Sequence, residues 1–154
     1  MKALTLTQPW ATLVAVGAKR LETRSWYTRH RGWMAIHAAK GFPRWAKDMC
    51  LEPAFAEELG PNNLPTGVVL ATCRLISCIP TEELQENRVI ELDSLTAWHF
   101  GLVKTHFVMT DEERRFGDYS PGRWAWLLAD VTRLNEPMPA KGSMGLWEWE
   151  KREQ

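Results

Sequence analysis

Leu4-Thr5-Leu6-Thr7-Gln8-Pro9-Trp10-Ala11, followed five residues on by Gly17-Ala18-Lys19-Arg20-Leu21-Glu22-Thr23-Arg24, sets the frame for the whole chain. Leu4 to Thr7 alternates apolar and polar residues, the signature of a short half-buried strand. Thr7-Gln8-Pro9 then predicts a helix start, with Thr7 or Gln8 at the cap and proline in the first turn. Trp10, Leu13, Val14 and Gly17 recur at i, i+3, i+4 and i+7, one face of a helix over residues 9–16 that Gly17 can end in a left-handed turn. Leu21 to Trp26 reads as a strand, and its period of two puts Glu22, Arg24 and Trp26 on one face. Thr23 faces the other way. Lys19 lies between helix and strand, so Lys19, Glu22 and Arg24 are expected to converge at one rim.

A carboxylate between two cations orients a guanidinium and leaves its remaining N–H groups to an incoming acceptor. A lysine beside it adds a mobile point charge suited to phosphate. The bland alternative is a surface ion pair worth about 0–1 kcal/mol.

Outward from this stretch, Trp33 to Ala39 predicts a second strand, with Met34, Ile36 and Ala38 on one face and Trp33, Ala35 and His37 on the other. Tyr27 to Gly32 is a basic turn between the two. Phe42 to Leu59 is expected to be helical in two pieces broken at Pro53. Residues 60–65 are a loop. Gly67 to Ile79 is a β-branched and apolar run that reads as a central buried strand. Residues 80–120 are polar, acidic and weakly patterned, an expected insertion with one helical piece around Ser94–Phe100. Arg123 to Leu134 predicts a long strand, Pro137 to Ser143 a loop, and Leu146 to Trp149 a closing strand. Periodicity alone therefore gives an α+β fold.

Length and composition agree. The 154 residues, 45% hydrophobic and 25% charged, suit one domain with a core. No apolar run approaches the roughly 18 residues of a membrane span, and the first residues do not form a secretory signal. Three cysteines without a CxxC argue against a disulfide scaffold or a cysteine-rich zinc site and point to a reducing cytoplasm. His30, His37, His99 and His106 lack metal-binding spacing, so no metal or other cofactor is expected. Net charge is zero but unevenly spread: +7 over residues 1–50, −6 over 51–100 and −1 beyond. Such a chain can offer a polyanion one basic face, unless the blocks neutralise each other in the fold.

The motifs Leu6-x-Gln8-Pro9-Trp10-Ala11, Gly17-x-Lys19-x-x-Glu22-x-Arg24-Ser25-Trp26-Tyr27-Thr28 and His30-Arg31-Gly32 resemble the activating signal cointegrator homology (ASCH) family. The likeness is strong over residues 4–40 and weaker through Pro65–Leu70, Ile76–Cys78 and the last strands. Residues 80–120 match nothing recognisable. The resemblance implies one domain over residues 1–154, an α+β fold of the PUA-like class, in which a small mixed β-barrel carries peripheral helices. It also implies a cleft lined by the motif, with RNA or single-stranded nucleic acid, or a nucleotide-like ligand, as partner. Lys19 and Arg24 would neutralise phosphate or polarise a base carbonyl. Glu22 would fix Arg24 or accept from an exocyclic amine. Gln8 and Trp10 would line the same cleft.

Nine tryptophans exceed the needs of one core. Trp26, Trp33 and Tyr27, interleaved with Arg29 and Arg31, suit stacking on unpaired bases at about 1–3 kcal/mol per base, unless they too are core. Arg123, in the turn Asp118-Tyr119-Ser120-Pro121-Gly122-Arg123, would face phosphate or belong to an ordinary loop. Lys141 to Trp147 is a glycine-bearing loop whose backbone N–H groups could meet an anion.

Two rival classes stay open. One is an enzyme acting on RNA or a modified nucleoside, as ribonuclease or N4-acetylcytidine amidohydrolase, with Lys19 and Glu22 catalytic or His37 as base. The amidohydrolase pattern has a nucleophilic threonine where this chain has Glu22. The other is a protein-interaction adaptor using the acidic middle segment.

Overall fold

The computed structural model describes residues 1–61, 63–84, 89–91 and 106–151. Among these the chain divides into two compact units: Met1–Lys19, Trp33–Arg74 and Asp130–Gln154 in the first, Arg20–Gly32 and Leu75–Ala129 in the second. The fold is mixed α+β, a six-stranded mixed sheet accompanied by short helices, the class that the resemblance implies. No helix among the described residues is long and apolar enough to cross a membrane.

The first unit is built on β1 (Lys2–Leu6), which pairs in parallel with β3 (Gly32–Ala38) and antiparallel with β8 (Leu146–Glu148). Leu4 stands opposite Ile36 on one side and Leu146 on the other. A parallel pair needs a crossover, and α1 (Trp10–Ala15) lies within it. Ala11 to Ala15 are all buried, and Gly17 ends the helix at φ +83°. The helix begins one residue later than the sequence suggests. Pro9 occupies the cap, and Gln8 Oε1 accepts from the Thr12 N–H at 3.1 Å, capping from one position further out.

The two expected helical pieces are α2 (Arg44–Met49) and α3 (Pro53–Leu59), with Pro53 at the first helical position, where its missing N–H costs nothing. Trp10 meets Phe55 of α3 edge-on at 6.2 Å and Trp45 of α2 at 5.7 Å. Ala3, Ala35, Val69 and Trp149 form a buried cluster, with Leu134, Met138 and Trp147 packed on it.

The second unit pairs β2 (Leu21–Arg24) antiparallel with the start of β7 (Trp124–Pro139), setting Glu22 opposite Trp126 and Arg24 opposite Trp124. Its core gathers Leu21, Ile76, Ile79, Leu84, Phe107, Met109, Ala125 and Leu127. β4 (Val68–Pro80) is the expected central strand, and like β7 it contributes residues to both units.

Three expectations need correction. Pro137 to Ser143 is not all loop, because β7 continues to Pro139. Both prolines fit since β2 pairs only Trp124 to Leu127 and leaves the rest of β7 without that neighbour. The strand expected through Trp26 stops at Arg24. There the chain bends, and the Trp26 carbonyl accepts from Trp126 Nε1–H at 3.4 Å. Residues 80–120 hold more order than the sequence suggests. Their described parts form a 3₁₀ turn (Thr81–Glu83), a β5–β6 pair (Val89–Glu91, His106–Val108) and α4 (Asp111–Arg115). The helix expected around Ser94–Phe100 lies outside the described residues.

Candidate nucleic-acid interface

In the first unit Gln8 is fully buried, and both ends of its amide serve the fold. Nε2 donates to the Pro65 carbonyl at 2.8 Å, and Oε1 holds the α1 N-terminus. Trp10 is half-buried over α3 and beneath the exposed Trp45. Lys19 follows the α1 terminus, where its backbone N–H bonds the Leu13 carbonyl at 3.0 Å. Its side chain is only 1% exposed. Enclosing an ammonium is expensive unless other groups satisfy it, and Lys19 does have interaction partners.

His37 is buried as well. Trp147 Nε1–H donates to Thr5 Oγ1 at 3.0 Å. That hydroxyl lies 3.2 Å from His37 Nδ1, and His37 Nε2 lies 3.0 Å from the Ala140 carbonyl. A neutral ring protonated on Nε2, with the Thr5 hydroxyl donating to Nδ1, completes this chain. A Cβ on Gly142 would stand 2.5 Å from the His37 ring. That glycine thus serves close packing on imidazole. His37 also lines an open groove of about 2220 Å³ together with Lys40, Arg133, Lys141 and Trp147, and none of Gln8, Trp10 and Lys19 borders it.

Burial holds the His37 pKa below its ordinary value of 6.5. The unfolded chain therefore binds this proton first, and stability falls as pH drops from about 6.5. Thermal unfolding at pH 7.5 and 5.5, for wild type and His37→Gln, checks this: the variant should lose part of the pH-dependent shift. An equal shift in both proteins would refute it.

In the second unit Glu22, 7% exposed, and Arg24 are brought together across the strand, with Nη1 at 3.8 Å from Oε1. The Arg24 side chain keeps 28% exposure, so its guanidinium faces both the carboxylate and solvent. Trp26 is half-buried edge-on against Trp126, at 4.7 Å. Tyr27 is 47% exposed, packs edge-on against Trp124 at 4.9 Å, and carries the Arg31 guanidinium 5.8 Å from its ring centre. Arg31 also donates to the Thr28 and His30 carbonyls, which stiffens the basic turn. Arg29 is exposed. Arg123 is spent on the fold: it donates to the Asp118 and Thr23 carbonyls at 3.1 Å each and pairs with the Asp118 carboxylate.

The sequence reading passed over one residue here. Glu113, 5% exposed, turns both carboxylate oxygens on the start of β2. Oε1 accepts from the Arg20 and Leu21 N–H groups at 2.9 and 2.8 Å, and Oε2 from Arg20 at 3.0 Å. Thr110-Asp111-Glu112-Glu113 carried the signal, a capping-box pattern, and Thr110 Oγ1 does accept from the Glu113 N–H at 3.1 Å. The Glu113 carboxylate, however, serves β2.

These observations define a small α+β fold with a buried lysine after its first helix and a carboxylate–arginine pair on the strand that follows. The chain belongs to the ASCH domain family, whose model matches residues 4–138, a family associated with nucleic-acid binding in general. Activating signal cointegrator 1 of Homo sapiens is 38% identical over 90 residues, and that of Mus musculus 37%. Each match covers 54% of this chain and 15% of the relative's length. The crystal structure of ASCH from Zymomonas mobilis shares 14% identity, with a TM-score of 0.49, covering 97% of this chain and 87% of that one.

Proposed function

We propose that this protein binds RNA or single-stranded nucleic acid through the charged and aromatic residues of the Arg20–Arg31 stretch of the second unit. The observation that carries the reading is the nearly buried Glu22 carboxylate, at 7% exposure, with the partly exposed Arg24 guanidinium 3.8 Å away and the exposed Tyr27 and Arg29 following on the same stretch. Buried ionisable groups are costly and concentrate at functional sites. Arg24, Arg29 and Arg31 supply the positive charge that a phosphate backbone demands. Tyr27, propped by Trp124, offers a face on which a base stacks. Family membership supports the same reading.

Retention of a labelled single-stranded RNA over a range of salt concentrations tests it. Wild type should bind, with affinity falling steeply as salt rises. Arg24→Ala should lower the salt slope by about one unit. Tyr27→Ala should weaken binding by about 1–3 kcal/mol, the worth of one stacked base. If both variants stay folded and bind like wild type, the assignment fails. Cleaved RNA, or deacetylated cytidine from N4-acetylcytidine added in parallel, would replace binding with catalysis.

A further inference from the structure

Two free backbone edges of the six-stranded sheet border one groove in the first unit. β8 ends the sheet, with β1 as its single strand neighbour among the described residues. On β7, β2 pairs only Trp124–Leu127 and leaves Thr132–Pro139 without it. Thr132 to Pro139 and Trp147 to Lys151 line the groove without a gap. Side chains along a strand alternate between faces, so an unbroken run of lining residues follows a backbone edge, not one face. The hydrogen-bond phase of β8 is also fixed. The Met1 ammonium donates to the Trp149 carbonyl at 2.9 Å, and the Trp149 N–H to the Met1 carbonyl at 2.8 Å. Antiparallel pairs alternate, so Trp147 bonds to β1 while Leu146 and Glu148 turn their N–H and C=O groups outward. On the β7 side Pro137 and Pro139 have no N–H to offer, so β8 is the edge with both donors and acceptors.

We propose that this groove docks an extended peptide of a partner protein, which adds a strand to the outer edge of β8 and carries carboxylate side chains. At about 2220 Å³ the groove exceeds the roughly 300–1,000 Å³ of a small-molecule pocket and suits a polymer. Leu134, Met138 and Trp147 give it an apolar lining for alternate side chains of the added strand. Lys40, Arg133, Lys141 and Lys151 also line it, and none of these four is in an ion pair among the described residues. Of the lining acids, Glu148 is already matched by Lys2 at 2.6 Å, which leaves Glu136 and Glu150. The surplus of cations favours carboxylates on the occupant. The interleaved acids disfavour a phosphodiester strand, which brings a negative charge with every nucleotide, whereas a peptide backbone is neutral. Nor is a stacking face on offer: Trp147 meets the His37 ring edge-on at 5.5 Å, and Trp149 is buried.

The probe is a labelled, end-blocked peptide of about six residues, the usual strand length, alternating valine and glutamate. Its counterpart alternates valine and lysine. Each is titrated to millimolar concentration by fluorescence anisotropy. Glu148→Pro deletes the outward N–H of β8, and Glu148→Ala removes the same carboxylate but keeps that N–H. The acidic probe should bind wild type and the alanine variant alike, and the proline variant about tenfold more weakly, the worth of one backbone hydrogen bond. The lysine probe should bind wild type at least tenfold more weakly than the acidic one. Amide hydrogen exchange at Glu148 in wild type should slow when the acidic probe saturates it, a readout that survives if the proline variant fails to fold. No binding of the acidic probe, equal affinity of the two folded variants, a Glu148 amide left unprotected, or equal binding of both probes would overturn the proposal. Single-stranded RNA that displaces the probe and protects the Glu148 amide in its place would give the groove to nucleic acid and overturn it too.

Discussion

Glu113→Ala is expected to lower the free energy of unfolding by about 3 kcal/mol, from two backbone donors losing a charged acceptor at about 1–3 kcal/mol each. The loss is large because the carboxylate is almost wholly enclosed and its three bonds from Arg20 and Leu21, at the entry to β2, lie at 2.8–3.0 Å. Removing it strands the Arg20 and Leu21 N–H groups, and water reaches the buried Leu21 poorly. Urea unfolding checks the value. Glu113→Gln is the informative control. Oε1 accepts from both donors, so an amide oxygen in that position restores more than half of the loss. On the proposed nucleic-acid reading, the alanine variant should also bind RNA more weakly under conditions where it is still folded, because the clamp fixes the entry to the strand that carries Glu22 and Arg24. An alanine variant within 1 kcal/mol of wild type would show that the clamp contributes little.

Trp126→Ala should be as damaging, at about 3–5 kcal/mol, the range for deleting a large buried aromatic. The ring is fully buried, it receives Trp26 edge-on at 4.7 Å, and it sits opposite Glu22 in the β2–β7 register. Such an edge-to-face pair adds about 0.5–1.5 kcal/mol beyond area burial. Trp126→Phe keeps much of the volume and should recover at least half of the loss. Chemical denaturation of both variants tests this. Recovery would assign the loss to volume, whereas equal losses would assign it to the indole N–H that bonds the Trp26 carbonyl.

Much of the architecture follows from local pattern. The strand–helix–strand order over residues 2–24, the broken helical segment at Pro53 and the buried strand after Gly67 are all legible in apolar spacing, proline position and β-branched content. These are properties of a few neighbouring residues, and the 2.0 and 3.6 periods expose them directly. The strand boundary at Arg24 was not legible. Nothing in Ser25-Trp26 breaks a strand, and the chain bends there because Trp26 packs on Trp126, a hundred residues away. The extension of β7 through two prolines was likewise hidden, since proline is excluded from a strand only where a neighbour needs its N–H.

The candidate site divides in the same way. Residue types and spacing were enough to single out Lys19, Glu22 and Arg24 and to attach them to a family. Their environments were not. Arg123 was a candidate for phosphate, yet its guanidinium is consumed by Asp118 and Thr23. His37 was a candidate base, yet its two nitrogens face Thr5 and Ala140. The clamp from Glu113 to β2 joins residues more than ninety positions apart. An amino-acid string specifies which groups are present and how often they recur, and from that come the helices, the strands and the motif. Which groups are enclosed, which are already bonded, and which keep an unused donor depends on distances between remote segments, and those exist only once the chain has packed.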